Sequence, residues 1–172
     1  MTSNLKERLR NDGVEVERVS FPSKWAEFLD ACEAQGEFNV LILVAHGEVK
    51  DDDLESTPVH TELTGTVVPW AALAQANIEL NDKLVMLASC GGYSKDTVDA
   101  FVRTGQLALY LLASKREVTP DEVLAVFPRV LKELQKEANR EGSFSGEQLE
   151  AARERCDVTN AFMVTSGVGI LP

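Results

Sequence analysis

Phe38-Asn-Val-Leu-Ile-Leu-Val-Ala45 and Lys83-Leu-Val-Met-Leu-Ala88 are the two stretches that decide the fold. Each is an unbroken apolar run, too short for an ordinary globular helix and rich in aliphatic side chains. That is the pattern of a strand buried on both faces of a parallel sheet. Leu107-Ala-Leu-Tyr-Leu-Leu-Ala113 repeats it. Between these runs the apolar spacing changes to the helical period, so strands alternate with helices along the chain. The alternation predicts one α/β domain, a three-layer α/β/α sandwich around a mostly parallel central sheet.

Outward from the three runs, helix and turn signals fill in the rest. Leu5 to Asn11 reads as a short polar helix stopped by Gly13, and Val14, Val16 and Val19 as a short alternating strand. Ser23 caps a predicted helix over 24–34, with Trp25, Phe28, Leu29 and Cys32 on its apolar face. Glu48 to Glu62 is polar and reads as an exposed loop. Leu63 to Val68 reads as a small hairpin or edge strand, and Pro69-Trp70 opens a helix to about Ala76. Asp96 to Thr104 is an amphipathic helix. Thr119-Pro-Asp-Glu122 is a capping signature with proline in the first turn, opening a helix to about Asn139. After the 141–146 loop come a helix from Glu147 to Arg155 and a last strand from Thr159 to Val164.

Composition removes several function classes. The 172 residues include 17 Lys and Arg against 28 Asp and Glu, a net charge of −11, with no basic cluster. Such a chain repels phosphate backbones and anionic lipid, so neither nucleic acid nor membrane is an expected partner. The three cysteines (Cys32, Cys90, Cys156) and two histidines (His46, His60) are widely spaced and form neither a disulfide framework nor a zinc pattern. No cofactor is called for. The N-terminal residues lack the apolar core of a leader, and the expected location is the cytoplasm. Glycine-rich nucleotide-binding patterns and the serine nucleophile elbow are also absent.

Two of the buried strands end in reactive residues. One runs out as Val44-Ala-His46-Gly47, the other as Ala88-Ser-Cys90-Gly91-Gly92. Open α/β sheets carry their sites outside the carboxyl ends of the strands, so parallel neighbours would bring His46 and Cys90 to one edge. A thiol beside an imidazole is the minimum for covalent cysteine catalysis. The glycines permit close backbone approach, and the Gly47 and Cys90 amides are candidate donors to an oxyanion. Ser89, Gly91, Ser114 and the run Asp51, Asp52, Asp53 are candidate cleft residues, the aspartates as attractors of a basic substrate group. His60 reads as a solvated loop residue, and Cys32, Trp25 and Trp70 as core. Cys156 reads as a structural thiol, with Arg153 and Arg155 placed to lower its pKa.

The strand ending in His-Gly followed by the strand ending in Ser-Cys-Gly-Gly resembles the caspase-like clan of cysteine peptidases, and within it the CHAT-domain proteins most. Asp99-Ala-Phe-Val-Arg-Thr-Gly-Gln-Leu-Ala-Leu-Tyr-Leu-Leu112 and the helix after Val118-Thr-Pro-Asp-Glu-Val resemble two further blocks of that group, so the similarity covers roughly 39–134. The resemblance implies a caspase-like sandwich and a cysteine endopeptidase acting on a peptide or protein, with Cys90 as nucleophile and His46 as general acid/base. It also implies a role in bacterial defence or regulated proteolysis. Ala88 stands where metacaspase-like members often carry Asp, so the resemblance assigns no primary specificity pocket. Two other readings accompany it: a catalytically inactive caspase-fold module that binds a regulatory protein partner, and a cysteine hydrolase of small acyl substrates. A flavodoxin-like or receiver-like module is a weaker third, disfavoured by the acidic balance.

Overall fold

The computed structural model describes residues 1–16, 26–27, 39–45, 60–63, 66–69, 80, 83–103 and 108–166. In chain order the elements are α1 (Thr2–Asn11), β1 (Val40–Val44), β2 (His60–Leu63), β3 (Thr66–Pro69), β4 (Leu84–Ala88), α2 (Lys95–Val98), β5 (Tyr110–Ser114), α3 (Pro120–Glu141), α4 (Gly146–Cys156) and β6 (Phe162–Ser166). Helix α2 continues into a π-helical segment over Asp99–Arg103.

The apolar runs form the central sheet, in the order β1-β4-β5-β6. β1, β4 and β5 are parallel neighbours, with Val40 opposite Leu84, Val44 opposite Ala88 and Leu84 opposite Tyr110. β6 lies antiparallel to β5, Ser114 opposite Phe162. Its direction follows from the helix count: two helices joined as a hairpin return the chain to the end of the sheet from which it left. Every residue of β4 and β5 is buried, as continuous apolar strands require.

The pleat sends alternate side chains to two cores. Val85, Leu87, Leu111 and Ala113 pack with Val98, Phe101 and Val102 on one face. Leu84, Met86 and Leu112 pack with Leu5 and Leu9 of α1, Val123, Phe127 and Leu131 of α3, and Leu149 of α4 on the other. The sheet is thus covered by helices on both faces: a mixed α/β fold with an open, mostly parallel sheet.

Local chemistry explains the helix ends. The Thr119 hydroxyl accepts from the Glu122 N–H while the Glu122 carboxylate accepts from the Thr119 N–H, and Ser145 and Gln148 repeat this box at α4. Gly142, at φ 81°, closes α3 in the left-handed conformation. Phe127 stacks tilted on Phe162 at a ring separation of 5.2 Å, locking α3 to β6.

Several expectations shift. The hairpin is real but forms a separate two-stranded sheet, and it begins at His60, so the end of the expected loop is strand. β5 starts at Tyr110, not at Leu107, because the Leu109 and Tyr110 amides both bond the Lys83 carbonyl at the sheet's lower margin. The amphipathic helix is part π-helical, which lets Ala100, Phe101 and Val102 all be buried in succession. β6 starts three residues late because the Asp157 carboxylate accepts from the Phe162 N–H at 2.7 Å and holds 157–161 as a turn, with Asn160 left-handed at φ 51°. Val14 to Val16 form no strand, and Val19 lies outside the described residues. Of the helix expected over 24–34, residues 26–27 are helical, while Trp25, Cys32 and the helix from Trp70 lie outside the described residues.

Candidate functional site

The carboxyl ends of β1 and β4 are side by side. The ladder pairs Val44 with Ala88 and runs one residue further, the Ala45 N–H donating to the Ala88 carbonyl at 3.2 Å. Beyond Ala88 the chain makes a turn closed by the Gly92 N–H on the Ser89 carbonyl at 3.1 Å. Cys90 and Gly91 are its corners. Gly91 sits at φ 57°, a backbone conformation that glycine adopts without penalty at the second corner of such a turn. At Gly92 a Cβ would lie 2.9 Å from Leu87 Cδ2 and 3.1 Å from the Ser89 carbonyl oxygen, so this glycine answers to close packing.

Cys90 is half-buried, whereas Ser89, Gly91 and Gly92 are buried. The segment after β5 crosses the turn. The Gly91 N–H donates to the Arg116 carbonyl at 3.0 Å. Cys90 Sγ lies 3.5 Å from both the carbonyl oxygen and the amide nitrogen of Val118, able to donate to one and accept from the other. With the Gly91 and Gly92 amides engaged, the Cys90 N–H is the turn amide that meets no acceptor among the described residues.

Ser114, expected as a cleft hydroxyl beyond its strand, is instead the last residue of β5 and is completely buried. Its Oγ donates to the Ser89 carbonyl and lies 3.4 Å from the Gly92 nitrogen as acceptor. Its own carbonyl accepts from the Tyr93 N–H at 2.7 Å. The Tyr93 hydroxyl reaches Thr165 Oγ1 at 2.6 Å, joining the turn to β6. Sequence reading passed over Tyr93 and Val118. Val118 acts through its backbone, which no residue type can signal.

Arg116 is held by Glu122, Nη2 to Oε1 at 2.6 Å. That pairing, with the bond from the Thr119 amide, lowers the Glu122 carboxyl to about 2 and raises the Arg116 guanidinium. Asp157 adds a negative field at Arg116. Cys156 differs from expectation: burial pushes its thiol up, and the weaker opposing fields of Arg129 and Arg155 do not reverse this. Arg153 is itself buried and turns to Glu150 and Asn160. His46, Gly47, Asp51, Asp52 and Asp53 lie outside the described residues.

Among the described residues no cluster of His, Cys, Asp and Glu could hold a metal ion, and no helix is long and apolar enough to cross a membrane. No protein-family model matches the chain, and no curated protein sequence matches it.

Proposed function

We propose that the chain is a cysteine hydrolase of the caspase-like type, with peptides or proteins as substrates and Cys90 as nucleophile. The observation that carries this reading is the parallel register of β1 and β4. Val44 faces Ala88, and the sequence reaches His46 two residues after the one and Cys90 two residues after the other. The half-exposed thiol at the corner of a glycine turn, and a neighbouring backbone N–H without an acceptor among the described residues, add the nucleophile's setting and one oxyanion donor.

In this mechanism the Cys90 thiol passes its proton to His46 as the sulfur attacks the scissile carbonyl carbon, and the carbonyl electron pair moves onto oxygen opposite the Cys90 N–H. The tetrahedral species collapses as His46 gives a proton to the leaving amine. Water then attacks the thioester as His46 takes its proton, the C–S bond breaks, and His46 returns that proton to the sulfur as the acid departs. The Val118 carbonyl and amide beside Sγ give it a fixed resting position.

A pulse of substoichiometric iodoacetamide near pH 7, read by peptide mass mapping, tests the reading. Cys90 is expected to react faster than Cys32 and Cys156 and to lose that lead in His46→Ala. Cleavage of a peptide library by the native protein and not by Cys90→Ala completes it. A Cys90 no faster than Cys156 would sink the nucleophile reading and leave a binding module.

A further inference from the structure

We infer that Ser114 is the positioning residue of the Cys90 turn, its buried hydroxyl holding the turn in the shape that keeps the Cys90 N–H available to an oxyanion. The inference rests on the reading of Cys90 as a nucleophile that accepts acyl groups.

A four-residue turn closed by one backbone hydrogen bond has little stability of its own. Here the Gly92 N–H is divided between the Ser89 carbonyl and Ser114 Oγ, while the Ser114 O–H donates back to that same carbonyl. One hydroxyl therefore grips both ends of the turn. Few side chains can do so: the group must donate and accept at once, and must fit a fully buried strand position. A buried hydroxyl is costly unless its bonds are made, and both bonds of Ser114 Oγ go to the turn. Ser114 also receives the Tyr93 N–H, so the strand end fixes the chain on leaving the turn as well. Were the turn to open, the Ser89 carbonyl and the Gly92 amide would be released next to the Cys90 amide, and the oxyanion donor would lose its orientation.

The isosteric pair Ser114→Thr and Ser114→Val isolates the hydroxyl, since both overfill the site equally and only one keeps the oxygen. In the intact chain, p-nitrophenyl acetate acylates Cys90: the S–C bond forms, the C–O bond to nitrophenolate breaks, nitrophenolate leaves with the electron pair, and the thiol proton passes to buffer. Iodoacetamide alkylates the same sulfur without forming an oxyanion. The ratio of acylation to alkylation at Cys90, read by mass mapping, therefore reports the amide and not the thiol alone. The Val protein is expected to show a ratio about tenfold below that of the Thr protein.

Equal ratios in the two proteins overturn the inference. If the Val protein unfolds, shown by fast alkylation of Cys156, Ser114→Ala is read in its place. Should Ala unfold too, the hydroxyl is structural and the positioning role is lost. A native protein whose Cys90 is acylated no faster than Cys156 overturns the nucleophile reading together with this one. An acylated native protein with equal variant ratios overturns the positioning role alone.

Discussion

The α3–α4 hairpin and the Cys90 corner are two turns of the same chain, held in opposite ways. The hairpin is fixed by partners three or four residues apart: Thr119 with Glu122, Ala138 with Gly142, Ser145 with Gln148. The Cys90 corner is fixed by partners far apart in sequence, Gly92 with Ser114 and Cys90 with Val118, 22 and 28 residues away. The first can form as soon as its own segment is helical. The second exists only once β4 and β5 are paired. The candidate site therefore depends on the assembled sheet, while the helix ends of the hairpin are set within the hairpin itself and only its apolar face needs the sheet.

The largest expected effect comes from the hairpin side. Phe127 is fully buried against Phe162, and Phe127→Ala is expected to cost about 3–5 kcal/mol in urea unfolding. The folded fraction should keep the native order of cysteine alkylation, because Phe127 touches the face opposite Leu87. A changed order would show that the two corners are coupled.

Gly92→Ala comes next. Its Cβ would meet Leu87 and the Ser89 carbonyl oxygen, and a loss of about 1–3 kcal/mol is expected from overpacking. Here acylation of Cys90 should fall with stability, unlike in the Phe127 variant. Retained acylation in a folded Gly92→Ala protein would mean that the turn tolerates a shift its contacts argue against.

Smallest is Glu122→Gln, at a residue that serves both regions, capping α3 and holding Arg116 beside the turn. The Glu122 carboxyl is lowered to about 2, first by Arg116 and then by the Thr119 amide. A lowered carboxyl stabilises the fold fully above its ordinary value and loses that contribution as pH falls through the folded one. The unfolding free energy at pH 7 should therefore be lower for Glu122→Gln, by less than about 1 kcal/mol since the pair is solvent-screened. The gap should close as pH falls from the ordinary carboxylate range toward 2. A gap constant over that range would assign the effect to helix capping instead of charge.

Legibility in the sequence follows the same division. The buried strands were readable because three apolar runs have no other stable environment, and α3 because its capping box and helical period agree. The boundaries that slipped are those set by residues outside the strand. β5 begins at Tyr110 because the Lys83 carbonyl takes both the Leu109 and Tyr110 amides, and β6 begins at Phe162 because the Asp157 carboxylate accepts its amide. Neither partner is implied by the apolar pattern of the strand itself. At the candidate site, the glycines after Cys90 marked a turn, but the use of Ser114 could not be read. A serine after an apolar run is equally a strand end or a loop start, and only pairing with β4 decides which.

The Tyr93–Thr165 bond gives the molecule a built-in reporter. The chain has two tyrosines, Tyr93 bonded through its hydroxyl to β6 and Tyr110 within the core. Biosynthetic 3-fluorotyrosine would place one fluorine nucleus on each ring. The Tyr93 resonance would then follow the distance between the Cys90 turn and the outer strand, with Tyr110 as internal reference. Engagement of the thiol could be watched from the far end of a phenol ring, with every cysteine left as it is.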